Sequence, residues 1–121
     1  MFDLASLENN PNYTVAGDMS GTIVGEPIDC RDIQQLAFHE VWTGTPTGSF
    51  VYEGSNDPAL GATTWLDVTA EVTPIFGDGN PAGADGKQGV VIRDLFRYMR
   101  RRYVAGVGSG TLNTYASGKR V

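Results

Sequence analysis

Glycine and proline interrupt this chain so often that no long helix can be laid along it. Twenty-two of the 121 residues are Gly or Pro, and they fall between short runs in which apolar and polar residues alternate. A period of two puts every second side chain on one face of an extended strand. Dense turn residues between such runs give the spacing of a sandwich or barrel. The turn density excludes a four-helix bundle, and the lack of crossover helices excludes a βαβ fold. The reading is all-β: a jelly-roll-like antiparallel β-sandwich of seven or eight short strands.

Short strands are expected at Tyr13 to Ala16 and Gly21 to Val24, then a long one at about Ile33 to Trp42. In the long strand Leu36, Phe38, Glu40 and Trp42 share one face; Glu40 among them is an imperfection that a bulge would explain. The compact turn TGTPTG follows, and the strand Ser49 to Glu53 returns from it, which reads as the clearest hairpin in the chain. Further strands are expected near Trp65 to Val68, at Val90 to Leu95, at FRYMRRRYVAG and at Thr111 to Ser117, the last two joined as a hairpin through Gly106 to Gly110. The stretch from Phe76 to Gly89 has almost pure turn composition and is expected to be the longest and most mobile loop. Residues 1–12 are expected to form an N-terminal arm, with one helical turn near Leu4 and Leu7 stopped by Asn9, Asn10 and Pro11. Residues 13–121 would make the domain.

Charge narrows the function. A net charge of −5 argues against direct nucleic-acid binding, which draws most of its affinity from Lys and Arg on phosphates. The charge is also lopsided. From Met1 to Asp85 there are thirteen acids and one base, Arg31; from Gly86 onward there are eight bases and one acid, Asp94. Interleaved strands would mix these charges, whereas segregated halves would make a dipole suited to docking. The single cysteine, Cys30, excludes an intrachain disulfide and reads as a half-buried strand or turn position. The start of the chain has no basic, apolar signal pattern and no run approaches a membrane span, so synthesis in the cytoplasm and no membrane partner are expected.

No constellation for chemistry stands out, and the chain is read as a non-enzyme with no cofactor and no metal. His39, the single histidine, lies inside a strand and reads as a partly buried structural residue rather than as the base for Cys30. One His and one Cys cannot build a zinc cluster. Two loops, Asn56 with Asp57 and Asp78, Asn80 with Asp85, carry oxygens of the kind calcium takes, but neither fits the calcium-loop pattern and turn formation explains both as well. GVGSGT, Gly106 to Thr111, has no Walker lysine. Trp42, Tyr52, Trp65 and Tyr115 are candidates for a sugar platform, though a small sandwich needs most of its rings for its core. The strongest anomaly is Arg100, Arg101 and Arg102: as a strand it sends at least one guanidinium to a covered sheet face, with acids such as Asp67 or Glu71 as expected partners.

VWTGTPTGSFVYEGSND, then Trp65, and later FRYMRRRYVAGVGSGTLNTYASGK resemble a class of small bacteriophage virion proteins, over about Phe38 to Lys119. EGSND at Glu53 to Asp57 and RYMRRRY at Arg97 to Tyr103 are the most specific parts. RYMRRRY is also similar to the penultimate strand of discoidin-like jelly rolls, where an Arg flanked by aromatics crosses the sandwich. The first resemblance implies a jelly-roll decoration, or cement, protein on the outer surface of an icosahedral phage capsid. Such a protein clamps adjacent major capsid subunits, is a homodimer or homotrimer, and is made in the host cytoplasm. No catalytic residues come with it. The contact residues expected are Phe2, Leu4 and Leu7 as apolar anchors of the arm, Asp78, Asn80 and Lys87 in the 77–89 loop, and Arg100, Arg101 and Arg102 for register. The second resemblance implies an alternative, a discoidin-like carbohydrate-binding domain of a tail fibre or adhesin, with a loop-end cleft bearing an exposed aromatic.

Overall fold

A computed structural model describes residues 1–72 and 75–121, with the backbone alone considered for 14–16. It contains a short helix α1 (Leu4–Asn9) and ten strands: β1 (Asn12–Asp18), β2 (Ile23–Val24), β3 (Ile28–Asp29), β4 (Ile33–Gly44), β5 (Ser49–Ser55), β6 (Leu66–Asp67), β7 (Ile75–Gly77), β8 (Gly86–Ile92), β9 (Tyr98–Val104) and β10 (Gly110–Arg120). Four of them, β2, β3, β6 and β7, are only two or three residues long, which is why the sequence pattern suggests seven or eight.

The strands form two antiparallel sheets. The first has the order β1-β10-β4-β8-β7, and the second β2-β9-β5-β6, with β3 also on β9. The pairing is nested: β1 with β10, β2 and β3 with β9, β4 with β8, β5 with β6. That is one long antiparallel ribbon, early half against late half. Rolling it up adds the pairs β10 with β4 and β9 with β5, which complete the two sheets. A rolled ribbon of this kind is a jelly roll, with β7 added on the free edge of β8.

The rolling corrects both expected hairpins. β4 and β5 flank TGTPTG but lie in different sheets, and so do β9 and β10. Local alternation cannot tell a hairpin from a corner, because both put apolar residues inward. Here the inward rings meet across the sandwich instead of side by side: Phe38 on Tyr52 at 5.4 Å between centroids, and Trp42 on Phe50 at 5.6 Å. Chain crossings of this kind need close backbone approach. Gly108, at φ +85°, stands where a Cβ would come within 2.0 Å of the Thr45 carbonyl oxygen, so only glycine closes that corner.

Residues 1–12 are not a free arm; they are folded into the sandwich. Asp3 caps α1 by accepting from the Ser6 amide, and the Ser6 hydroxyl oxygen accepts from the Asp3 amide, each at 2.8 Å. This reciprocal capping fixes a helix too short to stand alone. Leu4 and Leu7, one turn apart on its inner face, are both buried in the core. The flanks are pinned by backbone bonds, Asp29 N–H to the Phe2 carbonyl and Ala116 N–H to the Pro11 carbonyl, both at 2.8 Å. Leu4 and Leu7 are thus anchors for the chain's own core, and Phe2 packs half-buried on Tyr13 at 5.5 Å.

Candidate functional site

Three polar or aromatic assemblies stand out, and the first lies between the sheets. β9 turns Met99, Arg101 and Tyr103 inward, as its alternation predicts, so a guanidinium enters the core. Its partner is Glu40, the odd residue on the inner face of β4; both side chains are fully buried, with Nε 3.1 Å from Oε1. Thr114 on β10 donates to Glu40 Oε2 and accepts from Arg101 Nη2. Tyr52 donates to Glu40 and accepts from Gln88 Nε2 at 3.2 Å. No bulge is needed at Glu40: burying a charge requires a paired and hydrogen-bonded partner, and four strands supply one. Burial pushes the Glu40 carboxyl pKa up, and the Arg101 charge beside it opposes that. Arg101 is therefore a crossing strut between the sheets and not a contact residue, which corrects its expected interface role.

The second assembly covers the outer face of the second sheet. Arg100 and Arg102, outward on β9, converge on Glu53 of β5, with Nε to Oε1 distances of 2.9 and 3.4 Å. Trp65, just before β6, lays its ring 4.2 Å from the Arg100 guanidinium. Beside them Leu66 is exposed and the Arg102 side chain keeps 35% of its surface. Glu53 takes both ion pairs, because register puts it directly opposite Arg100; Asp67, an expected partner, is opposite Glu53 and feels the Arg102 charge, while Glu71 is in none of the ion pairs among the described residues.

Other bases also reach back to early acids. Arg97 binds Asp29 at 2.7 Å and 3.1 Å, and Arg120 binds Glu8 at 2.7 Å. Arg97 holds the Asp29 carboxyl below the usual aspartate range. Interleaved strands have mixed the lopsided charges, so the sequence's two electrical halves do not survive as two faces.

The loops expected to carry contacts are occupied by structure. β7 and β8 take the ends of the 77–89 stretch, leaving a connection at 78–85. Asp78 accepts from the Lys87 amide at 3.1 Å, Asn80 from the Phe50 amide at 3.0 Å, and Asp85 from the Gly44 amide at 2.7 Å. Trp42 Nε1 donates to the Ala84 carbonyl at 2.9 Å. Asp57 accepts from Ala59, Gly61 and Thr64, which lowers its pKa, and Asn56 accepts from the Arg97 amide. The oxygens weighed for calcium thus face backbone donors. Among the described residues no group of three His, Cys, Asp or Glu comes together.

His39 and Cys30 do not meet. Cys30 is buried, its thiol donating to the Ile28 carbonyl, and burial pushes its pKa up to about 12. His39 is not partly buried but exposed on the outer face of the first sheet, its ring 5.8 Å from that of Tyr115. Of the sugar-platform candidates, Trp42 and Tyr52 are buried in the core, Trp65 is covered by Arg100, and Tyr115 remains exposed. An open hollow of about 570 Å³ at one loop end is lined by Gly17, Asp18, Ser20, Ser109, Gly110 and Thr111. It contains no ring, so it lacks the exposed aromatic that a discoidin-like cleft requires.

The third assembly was invisible in the sequence. Register aligns Tyr115, His39, Gly89 and Phe76 in one row across β10, β4, β8 and β7 on the outer face of the first sheet. Its members are scattered from His39 to Tyr115, and only the strand order brings them into line. No protein-family model, curated protein or solved structure matches this chain.

Proposed function

We propose that this chain is a non-catalytic structural protein that decorates the outside of an icosahedral phage capsid. In this reading it clamps adjacent major capsid subunits through the outer face of its second sheet. The observation that supports the docking face is the cluster of Trp65, Leu66, Arg100 and Arg102 around the shared carboxylate of Glu53. Trp and Arg dominate the energetics of protein interfaces, and a pre-paired guanidinium enters a contact with little loss of side-chain freedom. The capsid as partner rests on the likeness of EGSND and RYMRRRY to phage decoration proteins, and three residues of the face, Glu53, Arg100 and Arg102, belong to those two motifs.

A head lattice presents the same contact many times, so modest single-site affinity is enough if the decorating unit is a dimer or trimer. The test is add-back. Heads of the phage that encodes the chain, lacking the decoration, are mixed with the purified chain and sedimented. Wild type is expected to pellet with the heads at a fixed ratio to the capsid subunit. Arg102→Glu and Trp65→Ala, both folded, are expected to stay in the supernatant. Wild type left in the supernatant would defeat the capsid reading, and equal pelleting of the variants would defeat the assignment of the face.

A further inference from the structure

The aromatic row on the opposite face has the form of a site for a neutral polysaccharide chain. Tyr115 and His39 stand together at one end and Phe76, which is 56% exposed, at the other; between them Gly89 leaves a notch. Two hollows flank the row, of about 330 and 200 Å³, and both are bounded by His39, Phe76 and Gly89. They share these three residues, and with the row they form the trough. The larger hollow is also lined by Ala37, Val91 and Ser117, and the smaller one by Lys87.

The fold does not demand the glycine. A Cβ on Gly89 would meet nothing closer than 3.8 Å, and its backbone is not in the left-handed region. Glycine costs strand stability in the interior of β8, and where sterics do not require it, it marks close approach by something else. What approaches is constrained by the lining. Neither hollow is lined by any carboxylate, although the chain as a whole is acidic, so a cationic ligand has no counter-charge; Lys87 alone, at one end, does not make an anion site. Among the described residues nothing takes a hydrogen bond from the His39 ring or the Tyr115 hydroxyl, and both stand at the rim with the Ser117 hydroxyl. Exposed ring surface with hydroxyl-matching groups around it is the environment of a pyranose, whose C–H face packs on an aromatic while its edge is polar. From β10 to β7 is three strand spacings, about 14 Å, longer than a single sugar ring.

We propose that this trough binds internal units of a neutral, extended polysaccharide, with Tyr115 and Phe76 as stacking platforms and Gly89 as the gap through which the chain crosses the row. The proposal is independent of the capsid reading, which uses the other sheet. The test is amide chemical-shift mapping of the full chain against hexasaccharides of the cello-, xylo- and chito- series at millimolar concentration. At least one series is expected to shift residues 37, 39, 89, 91, 115 and 117 in a saturable way. Gly89→Val, which fills the notch with a strand-favouring side chain, is expected to keep the fold and weaken binding at least tenfold; Tyr115→Ala should do the same by removing a platform. Should Gly89→Val misfold, Gly89→Ala and Tyr115→Ala still decide the matter. No shift with any of the three series would overturn the proposal. So would shifts confined to Trp65 or the loop end, undiminished binding by folded variants, or sedimentation equilibrium showing the trough closed by a second copy, read as dissociation on Tyr115→Ala.

Discussion

Replacing Glu40 by Gln takes from the fully buried Arg101 guanidinium the carboxylate it pairs with while keeping the shape of the site. Removing one partner of a buried ion pair costs about 3–5 kcal/mol, because the remaining charge has lost its water and its mate. A domain of this size has a total stability of roughly 5–15 kcal/mol, so the loss is a large part of the whole. At about 3–5 °C per kcal/mol the melting temperature should fall by about 9–25 °C. Arg101→Met should cost about as much as Glu40→Gln, since Glu40 is then stranded among Tyr52 and Thr114. The double replacement Glu40→Leu with Arg101→Met removes both charges and should come within about 2 kcal/mol of wild type, because the charge pair itself adds little beyond an apolar core. Urea unfolding of the four proteins, read by tryptophan fluorescence and by far-ultraviolet circular dichroism, gives their stabilities. Single variants that lose less than about 1 kcal/mol, or a double variant that loses the sum of the singles, would refute the strut.

Leu4→Ala and Leu7→Ala should each destabilise by about 2–5 kcal/mol, and deletion of residues 1–11 should abolish the cooperative melt, since those leucines complete the core; a truncated chain melting like wild type would restore the free arm. Gly108→Ala should destabilise by about 2 kcal/mol or more, through its positive φ and the Thr45 carbonyl, visible as a lowered melting temperature; an unchanged melt would mean that the corner relaxes. Cys30, buried with its thiol pKa near 12, should react with an aromatic disulfide reagent at pH 8 on the order of a hundredfold more slowly in the folded chain than in urea. Asp29, Asp57 and Asp67 have folded pKa values below the ordinary range because Arg97, the amides of Ala59 and Gly61, and Thr69 respectively hold the ionised forms. Their contribution is complete above the unfolded pKa of about 3.9 and is lost as pH falls through the lower folded values. The acid limb of the melting profile should therefore start below about pH 4, and Asp29→Asn should lower the plateau above it and make the limb shallower, the two profiles converging at low pH; an unchanged plateau and limb would count against the Arg97 contact.

The fold class was legible because it rests on period and punctuation, which are local. The two faces of β9 were legible for the same reason: Met99, Arg101 and Tyr103 go inward and Arg100 and Arg102 outward as the alternation requires. Partner choice was not. Glu53 faces Arg100, and Glu40 meets Arg101, through pairings between residues 47 and 61 positions apart, and no short-range pattern encodes them. The supposed hairpins failed where the chain changes sheet, since a turn rich in Gly and Thr serves a corner as well as a hairpin. Leu4 and Leu7 were read as anchors of an arm because only one helical turn was legible there, and one turn is marginal by itself; the capping by Asp3 and Ser6, and the packing of the helix against β10, make it part of the core. The Tyr115, His39, Gly89 and Phe76 row depends wholly on register.

The central claim, that a jelly roll stands on a capsid through the outer face of β5 and β9, is tested most directly by a cryo-electron microscopy reconstruction of heads to which the purified chain has been added back. The account predicts sandwich-shaped density on the outer surface, with Trp65, Arg100 and Arg102 against the capsid subunits and the Tyr115–Phe76 row facing away. Heads with no added density, density on the inner surface, or a sandwich seated on its first sheet would contradict it.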